Sequence, residues 1–226
     1  MFWTVLGEVI TPGLGASLSP MLIVAAVLLA CSEDGARKAL VFAIGAFLAL
    51  AGMGMLVLLV SNGAEVGTKS TPSTIAEIVR LILGLGFWWL AWGSFKQRPK
   101  AGELATLPGW MDKMYAMSTG KLLLLGVGLS LANVKNLPLT ISTMAAIAQT
   151  NAPLTIGAIG VLIFAFIGSL GVFAPYFVLR LYPQRAGKIL NAARDYLTRH
   201  NSTIMTVLFT ILGANLVSRT LGPLFG

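Results

Sequence analysis

A chain of 226 residues with 56% hydrophobic and only 11% charged side chains cannot coat a soluble globule of its size, and its mean hydropathy of +0.84 says the same. The formal charge of +8 would suit a nucleic-acid binder, but the basic residues flank apolar runs, a membrane-protein pattern, so no nucleic-acid partner is expected. One cysteine, Cys31, and one histidine, His200, exclude a paired-thiol relay and make a His/Cys metal path a poor fit; no metal or cofactor is expected.

A helical span needs about 20 apolar residues. The first window, Phe2 to Ala30, would be about 43 Å long as a straight helix, against about 30 Å of hydrocarbon, so it must tilt, bend or unwind. Its weak stretch is Thr11 to Pro20, where Pro12 and Pro20 each remove a backbone donor and Gly13 and Gly15 loosen the chain between them. Ser17 and Ser19 add polarity there, and Glu8 is a further candidate for the pathway, although its position also lets it reach the outer headgroups. The window lacks a basic n-region and is longer than a signal-peptide core, so it reads as a retained span.

The second window runs from Ala39 to Val60 and the third from Ile75 to Phe95, with Glu77 and Arg80 at helical ion-pair spacing and Trp88, Trp89 and Trp92 placed as an aromatic belt. The fourth, Leu122 to Ala148, is again too long and again interrupted, by Gly126 and Gly128 and then by Asn133, Lys135, Asn136 and Pro138. Lys135 lies about 21 Å inward of Lys121 and Pro20 about 15 Å inward of Ala30, so both interruptions fall near the midplane. A charge at that depth costs roughly 2.5–3.5 kcal/mol on insertion scales, and such residues usually face a polar cavity, a partner or a substrate path; the alternative for Lys135 is snorkelling or a structural pair with a backbone carbonyl. Asn133 and Asn136, three apart, would share a helical face and line the same path, unless the amides serve only to bind helices together. The fifth and sixth windows are Leu154 to Leu181 and Ser202 to Leu221. Between them Ala186 to His200 reads as an interfacial amphipathic helix with Ile189, Leu190, Tyr196 and Leu197 on its apolar side.

The expected architecture is therefore an all-α integral membrane protein of six transmembrane helices in one domain, 1–226. Lys and Arg gather after the first, third and fifth windows, which places those loops in the cytoplasm and both termini outside. Interrupted first and fourth helices are the pattern of a 3+3 inverted repeat, with one repeat at about 1–95, a cytoplasmic loop at about 96–120 and the second repeat at about 121–226. Ser17-Leu18-Ser19-Pro20 and Ser130-Leu131-Ala132-Asn133, each followed by an apolar run, a short polar turn and a Gly-rich run, are the matching segments.

Ala16-Ser17-Leu18-Ser19-Pro20-Met21-Leu22-Ile23, then Arg37-Lys38-Ala39-Leu40-Val41-Phe42-Ala43-Ile44-Gly45, and later Asn133-Val134-Lys135-Asn136-Leu137 resemble the GAP-like, or sulfolipid-addressing, proteins of the lysine exporter superfamily. The resemblance covers essentially the whole chain. It implies six helices, the bacterial inner membrane and export, with mycobacterial members associated with moving glycolipids or peptidoglycolipids toward the cell surface. Val134 stands where the family usually has a proline before the lysine, and Leu22 where it has one two residues after Pro20; Pro138 is offered as the replacement break. The expected function is export of a lipid-linked or small amphipathic substrate by alternating access, with Ser17, Ser19, Pro20, Asn133, Lys135, Asn136, Pro138 and Glu8 on the pathway. The alternative is a non-transporting scaffold that assists surface glycolipid assembly. Enzyme activity is not expected, since neither a phosphate-binding Gly-x-x-x-x-Gly-Lys loop nor a nucleophile–base pair is present in the spans. Expected partners are membrane lipids, the substrate, lipid-synthesis or export proteins, and a second copy of the chain.

Overall fold

The computed structural model describes residues 1–63, 74–96, 113–133 and 135–225. The regular structure among them is helical: α1 (Phe2–Ser17), α2 (Pro20–Ala30), α3 (Gly35–Gly63), α4 (Thr74–Lys96), α5 (Thr119–Leu131), α6 (Asn136–Gln149), α7 (Leu154–Leu181) and α8 (Pro183–Phe225). Val134, the loop residues Glu65, Lys69, Arg98 and Lys100, and the side chains of Glu77, Arg80 and Leu197 lie outside what is described.

α3 and α7, the second and fifth expected spans, are each long and apolar enough to cross a bilayer as one helix. The first and fourth are bent pairs instead: α1 and α2 meet at 64°, α5 and α6 at 73°. Counting each pair as one span gives four among the described residues, so the expectation of six is met in part.

The first break follows from Pro20. A proline drives the residue before it out of the helical region, and Ser19 is extended at φ −109°, ψ 90°; Pro20 then opens α2 at a position where its missing N–H is no loss. Pro12, by contrast, sits inside a continuous α1. The second break is not made by Pro138, which corrects the expectation that this residue replaces the family proline. α5 ends at Leu131 and α6 begins at Asn136, so Pro138 is the third residue of α6, in the first turn, where backbone donors have no intrahelical partner.

Two compact units are present, Met1–Val66 with Leu107–Asp195, and Gly67–Thr106 with Tyr196–Gly226. In the first, Val5, Val9 and Ala16 of α1, Leu50 and Leu58 of α3, Met144 and Ile147 of α6 and Val161, Phe164 and Ala165 of α7 form one buried core. Small residues set the closest approaches. A methyl on Gly45 of α3 would collide with the Leu123 carbonyl of α5, and one on Gly126 of α5 with the Phe42 carbonyl of α3. On α7, Gly160 faces Val5, Gly168 faces Ala16, and Gly171 lies against the Ser17 carbonyl of α1. Outward residues such as Leu48, Leu56, Leu162 and Phe166 are exposed, as helices facing lipid require.

At one end of this unit Ala30, Ala39, Ala186 and Leu190 are buried together, joining the end of α2, the start of α3 and the start of α8. Within the 186–200 stretch Ala186 and Leu190 are buried in this cluster, whereas Ile189 and Tyr196, also on the expected apolar side, are exposed on the protein surface, where an interfacial helix would meet lipid. In the second unit Phe87 of α4 stacks on Phe209 of α8, and the Trp88 indole N–H donates to the Thr210 carbonyl at 3.3 Å. Trp88 is thus a helix–helix contact as well as a member of the expected belt, while Trp89 and Trp92 are largely exposed.

Candidate functional site

The two breaks meet, and their polar residues pair across the gap. Where α1 ends, the carbonyls of its last turn lose their helical donors, because Leu18 leaves the helix, the Ser19 N–H turns back to the Ser17 carbonyl at 2.9 Å, and Pro20 has no N–H. Local hydroxyls fill part of the deficit: Ser17 Oγ donates to the Leu14 carbonyl at 2.7 Å and Ser19 Oγ to the Ala16 carbonyl at 2.9 Å. The rest comes from the second break. Lys135 Nζ donates to the carbonyls of Gly15 at 2.6 Å and Ala16 at 2.9 Å, and Asn133 Nδ2 donates to Ser19 Oγ at 3.0 Å.

Lys135 is only 4% exposed, so its ammonium is neither snorkelling nor solvated. It caps the negative end of the α1 dipole, which gives a buried cation two strong acceptors and a favourable field at once. Ser130 Oγ, at the end of α5, reaches the Ala46 carbonyl of α3 at 3.4 Å, so the second broken helix is also tied to a straight neighbour at its break.

One group is left over. Asn136 is 1% exposed and its Oδ1 has no donor among the described residues. Its own carbonyl accepts from Thr140 Oγ1 at 2.8 Å, and its N–H donates to the Asn133 carbonyl at 2.9 Å. A buried acceptor without a donor costs roughly 1–3 kcal/mol, so in native proteins such groups usually meet an ordered water, an ion or a ligand.

Of the eight expected pathway residues, Ser17, Ser19, Asn133 and Lys135 come together here, with Pro20 forming the break itself and Asn136, next to Lys135 in the chain, buried at the start of α6. Pro138 is exposed on the first turn of α6, and Glu8 is exposed on α1, more than a turn N-terminal to the capped carbonyls. Asn133 and Asn136 do not share a helical face; Asn133 lies in the turn between α5 and α6, and Asn136 opens α6. Sequence reasoning missed Ser130 and the two carbonyl acceptors. A signal for them existed: Gly13-Leu14-Gly15-Ala16-Ser17-Leu18 recurs as Gly126-Val127-Gly128-Leu129-Ser130-Leu131, each copy running into a break.

An all-helical, strongly apolar chain in which two bent helices share a buried lysine is a membrane protein with its polar chemistry concentrated at one internal point. The chain belongs to the family described as Sap, sulfolipid-1-addressing protein, whose model matches residues 9–222. No curated protein and no solved structure matches it.

Proposed function

We propose that this protein is an exporter of the lysine exporter superfamily that moves a lipid-linked or small amphipathic substrate across the inner membrane, using the junction of the two helix breaks as its central site. The observation that carries the reading is the Oδ1 of Asn136, the residue that follows Lys135, which is buried without a donor among the described residues. A purely structural cluster would gain by satisfying that oxygen, whereas a site that must accept a donor from a passing substrate has to leave it free.

Two further features support the reading. Broken helices at corresponding places in two halves are the usual construction of transport sites in secondary transporters. The packing follows the same exchange: α1 lies on α7 while α5 lies on α3, so the first half of each broken helix rests on a straight helix of the opposite repeat. Family membership supports a lipid-linked cargo, since the family's description concerns sulfolipid addressing.

The second reading is a scaffold without transport, and the satisfied ammonium of Lys135 favours it, because two carbonyl bonds are what a structural staple needs. Export from cells lacking the protein and supplied with wild type or Lys135→Met separates the two, provided that membrane levels of both are equal. Loss of a surface lipid supports lipid export through the junction, and loss of an external amino acid supports a small solute. Unchanged export of both would rule out the central site.

A further inference from the structure

A second polar site lies at the end of the first unit, apart from the helix breaks. A cavity of about 490 Å³ opens between the start of α3 and the end of α7, lined by Asp34, Gly35, Ala36, Arg37, Leu40, Tyr176 and Arg180. Its volume falls within the range of small-ligand sites. Lys38, beside Arg37, is committed elsewhere, its Nζ donating to the Tyr115 carbonyl at 2.9 Å. The two arginines are not: among the described residues neither guanidinium is paired with a carboxylate, and Arg180 lies over the Tyr176 ring, 5.8 Å from its centroid. That contact holds the guanidinium against an aromatic wall and leaves its N–H groups available.

The third charge in the lining is Asp34, held at φ 54° in the tight turn before α3. Two guanidiniums beside one carboxylate suit a monoanionic phosphodiester with a donor-bearing end better than a bare dianion. The phosphate oxygens match the arginine forks, and a neighbouring ammonium or hydroxyl matches the carboxylate. The source is a lipid because of where the cavity lies. It sits at the ends of the two apolar spans, walled by Leu40 and Tyr176, with Phe177 and Leu181 exposed beside it, which is the depth of lipid headgroups.

We propose that this cavity binds the headgroup of a phosphodiester lipid, with phosphate on Arg37 and Arg180 and the donor-bearing end on Asp34. The positive-inside pattern assigns that headgroup to the cytoplasmic leaflet. The site stands whether or not the central junction transports anything, and requires only that the chain lies in a bilayer.

The full chain in digalactosyldiacylglycerol nanodiscs, whose host lipid has no phosphate, containing a small fraction of labelled phosphatidylethanolamine or phosphatidylglycerol, or of phosphatidylcholine for comparison, tests the assignment, read as the fraction of label retained by the protein. Arg37→Gln and Arg180→Gln should each weaken retention by about tenfold, the scale of one lost charge-assisted hydrogen bond, and Arg37→Lys should recover only part of it. Asp34→Asn should erase the preference of the labelled lipids over phosphatidylcholine while leaving the phosphate contact. Lys188→Gln, a basic change at the same end but outside the cavity, should do nothing. Equal losses in Lys188→Gln and the arginine variants would mean general attraction to a basic surface and overturn the site. So would displacement of the lipid by soluble glycerophosphoethanolamine at the same concentration, which would make the ligand a free solute.

Discussion

The crossing of α3 and α5 gives the sharpest quantitative test of the packing. A Cβ on Gly45 would stand 3.1 Å from both the Leu123 carbonyl carbon and the Val127 nitrogen, in collision with the Leu123 oxygen; a Cβ on Gly126 would stand 3.1 Å from the Phe42 carbonyl carbon and 3.2 Å from the Ala46 nitrogen, in collision with the Phe42 oxygen. Every obstructing atom is backbone, so no rotamer change relieves the clash and the helices must move apart. A separation of about 0.5–1 Å forfeits a quarter to a half of each van der Waals well along the seam. Overpacking of this kind costs about 1–3 kcal/mol, offset by roughly 1 kcal/mol for the better helix propensity of alanine. Either Gly45→Ala or Gly126→Ala should therefore come out at about 0–2 kcal/mol destabilising net, and about 1–3 kcal/mol less stable than a glycine-to-alanine change that meets no clash. The two are not independent, because both methyls enter the same seam from opposite sides. Once one has opened it, the second should cost little, giving a coupling of about 1–2 kcal/mol in a double-mutant cycle. A methyl added to Gly52 on α3 or Gly128 on α5 would meet nothing within 4 Å, so Gly52→Ala and Gly128→Ala serve as matched controls and should be neutral or slightly stabilising. Reversible unfolding in mixed detergent micelles reads all four. Strictly additive losses, or a Gly45→Ala variant as stable as Gly52→Ala, would refute the reciprocal crossing.

Lys135→Met should destabilise by about 1–3 kcal/mol in the same assay, since the relief of burying a cation is outweighed by two lost charge-assisted bonds and two orphaned carbonyls. A variant as stable as wild type would mean that the ammonium does not cap α1. Ser19→Ala and Asn133→Leu should show a coupling of about 0.6 kcal/mol and no more than about 1.7, the range for hydrogen bonds between membrane helices; zero coupling would remove their bond. Cys31, just beyond α2, has its thiol pushed above the usual range chiefly by burial, with Arg194 lowering and Asp195 raising it, so the thiolate is scarce at neutral pH. An impermeant maleimide should label it slowly, faster as pH rises, and only from the cytoplasmic side in oriented vesicles; labelling from outside would invert the expected topology.

How much of this was legible in the sequence depends on whether the determining atom belongs to a side chain. The break at Ser19 could be read, because the constraint that Pro20 places on its predecessor is local and steric. The second break was located only loosely. Pro138 drew attention as a helix breaker, yet a proline in the first turn of a helix breaks nothing, and the turn lies upstream at Ala132 to Lys135. That Lys135 is buried and important followed from its depth, but its partners did not, because the carbonyls of Gly15 and Ala16 have no letter of their own. The packing of the 186–200 stretch was hidden for a different reason. An amphipathic pattern says that a face is buried without saying against what, and the neighbours that bury Ala186 and Leu190 are Ala30 and Ala39, far away in sequence.

The same geometry sets a condition on the proposed transport. Lys135 and Asn133 join the second break to the end of α1, so the two interruptions are coupled: moving α1 away from α6 would strip the ammonium of both acceptors, a loss that the hydrocarbon interior does not compensate. A substrate that presents its own acceptors to Lys135 while donating to Asn136 Oδ1 would replace those bonds and lower the barrier at the moment of passage. Opening would then be favoured by occupancy, because a bound substrate supplies acceptors in place of the two carbonyls that the ammonium gives up. That condition makes a test separate from export itself. Lys135→Met removes the cation and with it the penalty for opening, so the variant should expose the junction without substrate. A cysteine placed at Ser17 in a Cys31→Ser background should be labelled by small thiol reagents faster with Lys135→Met than with Lys135 intact. Equal rates would show that the staple does not hold the junction shut.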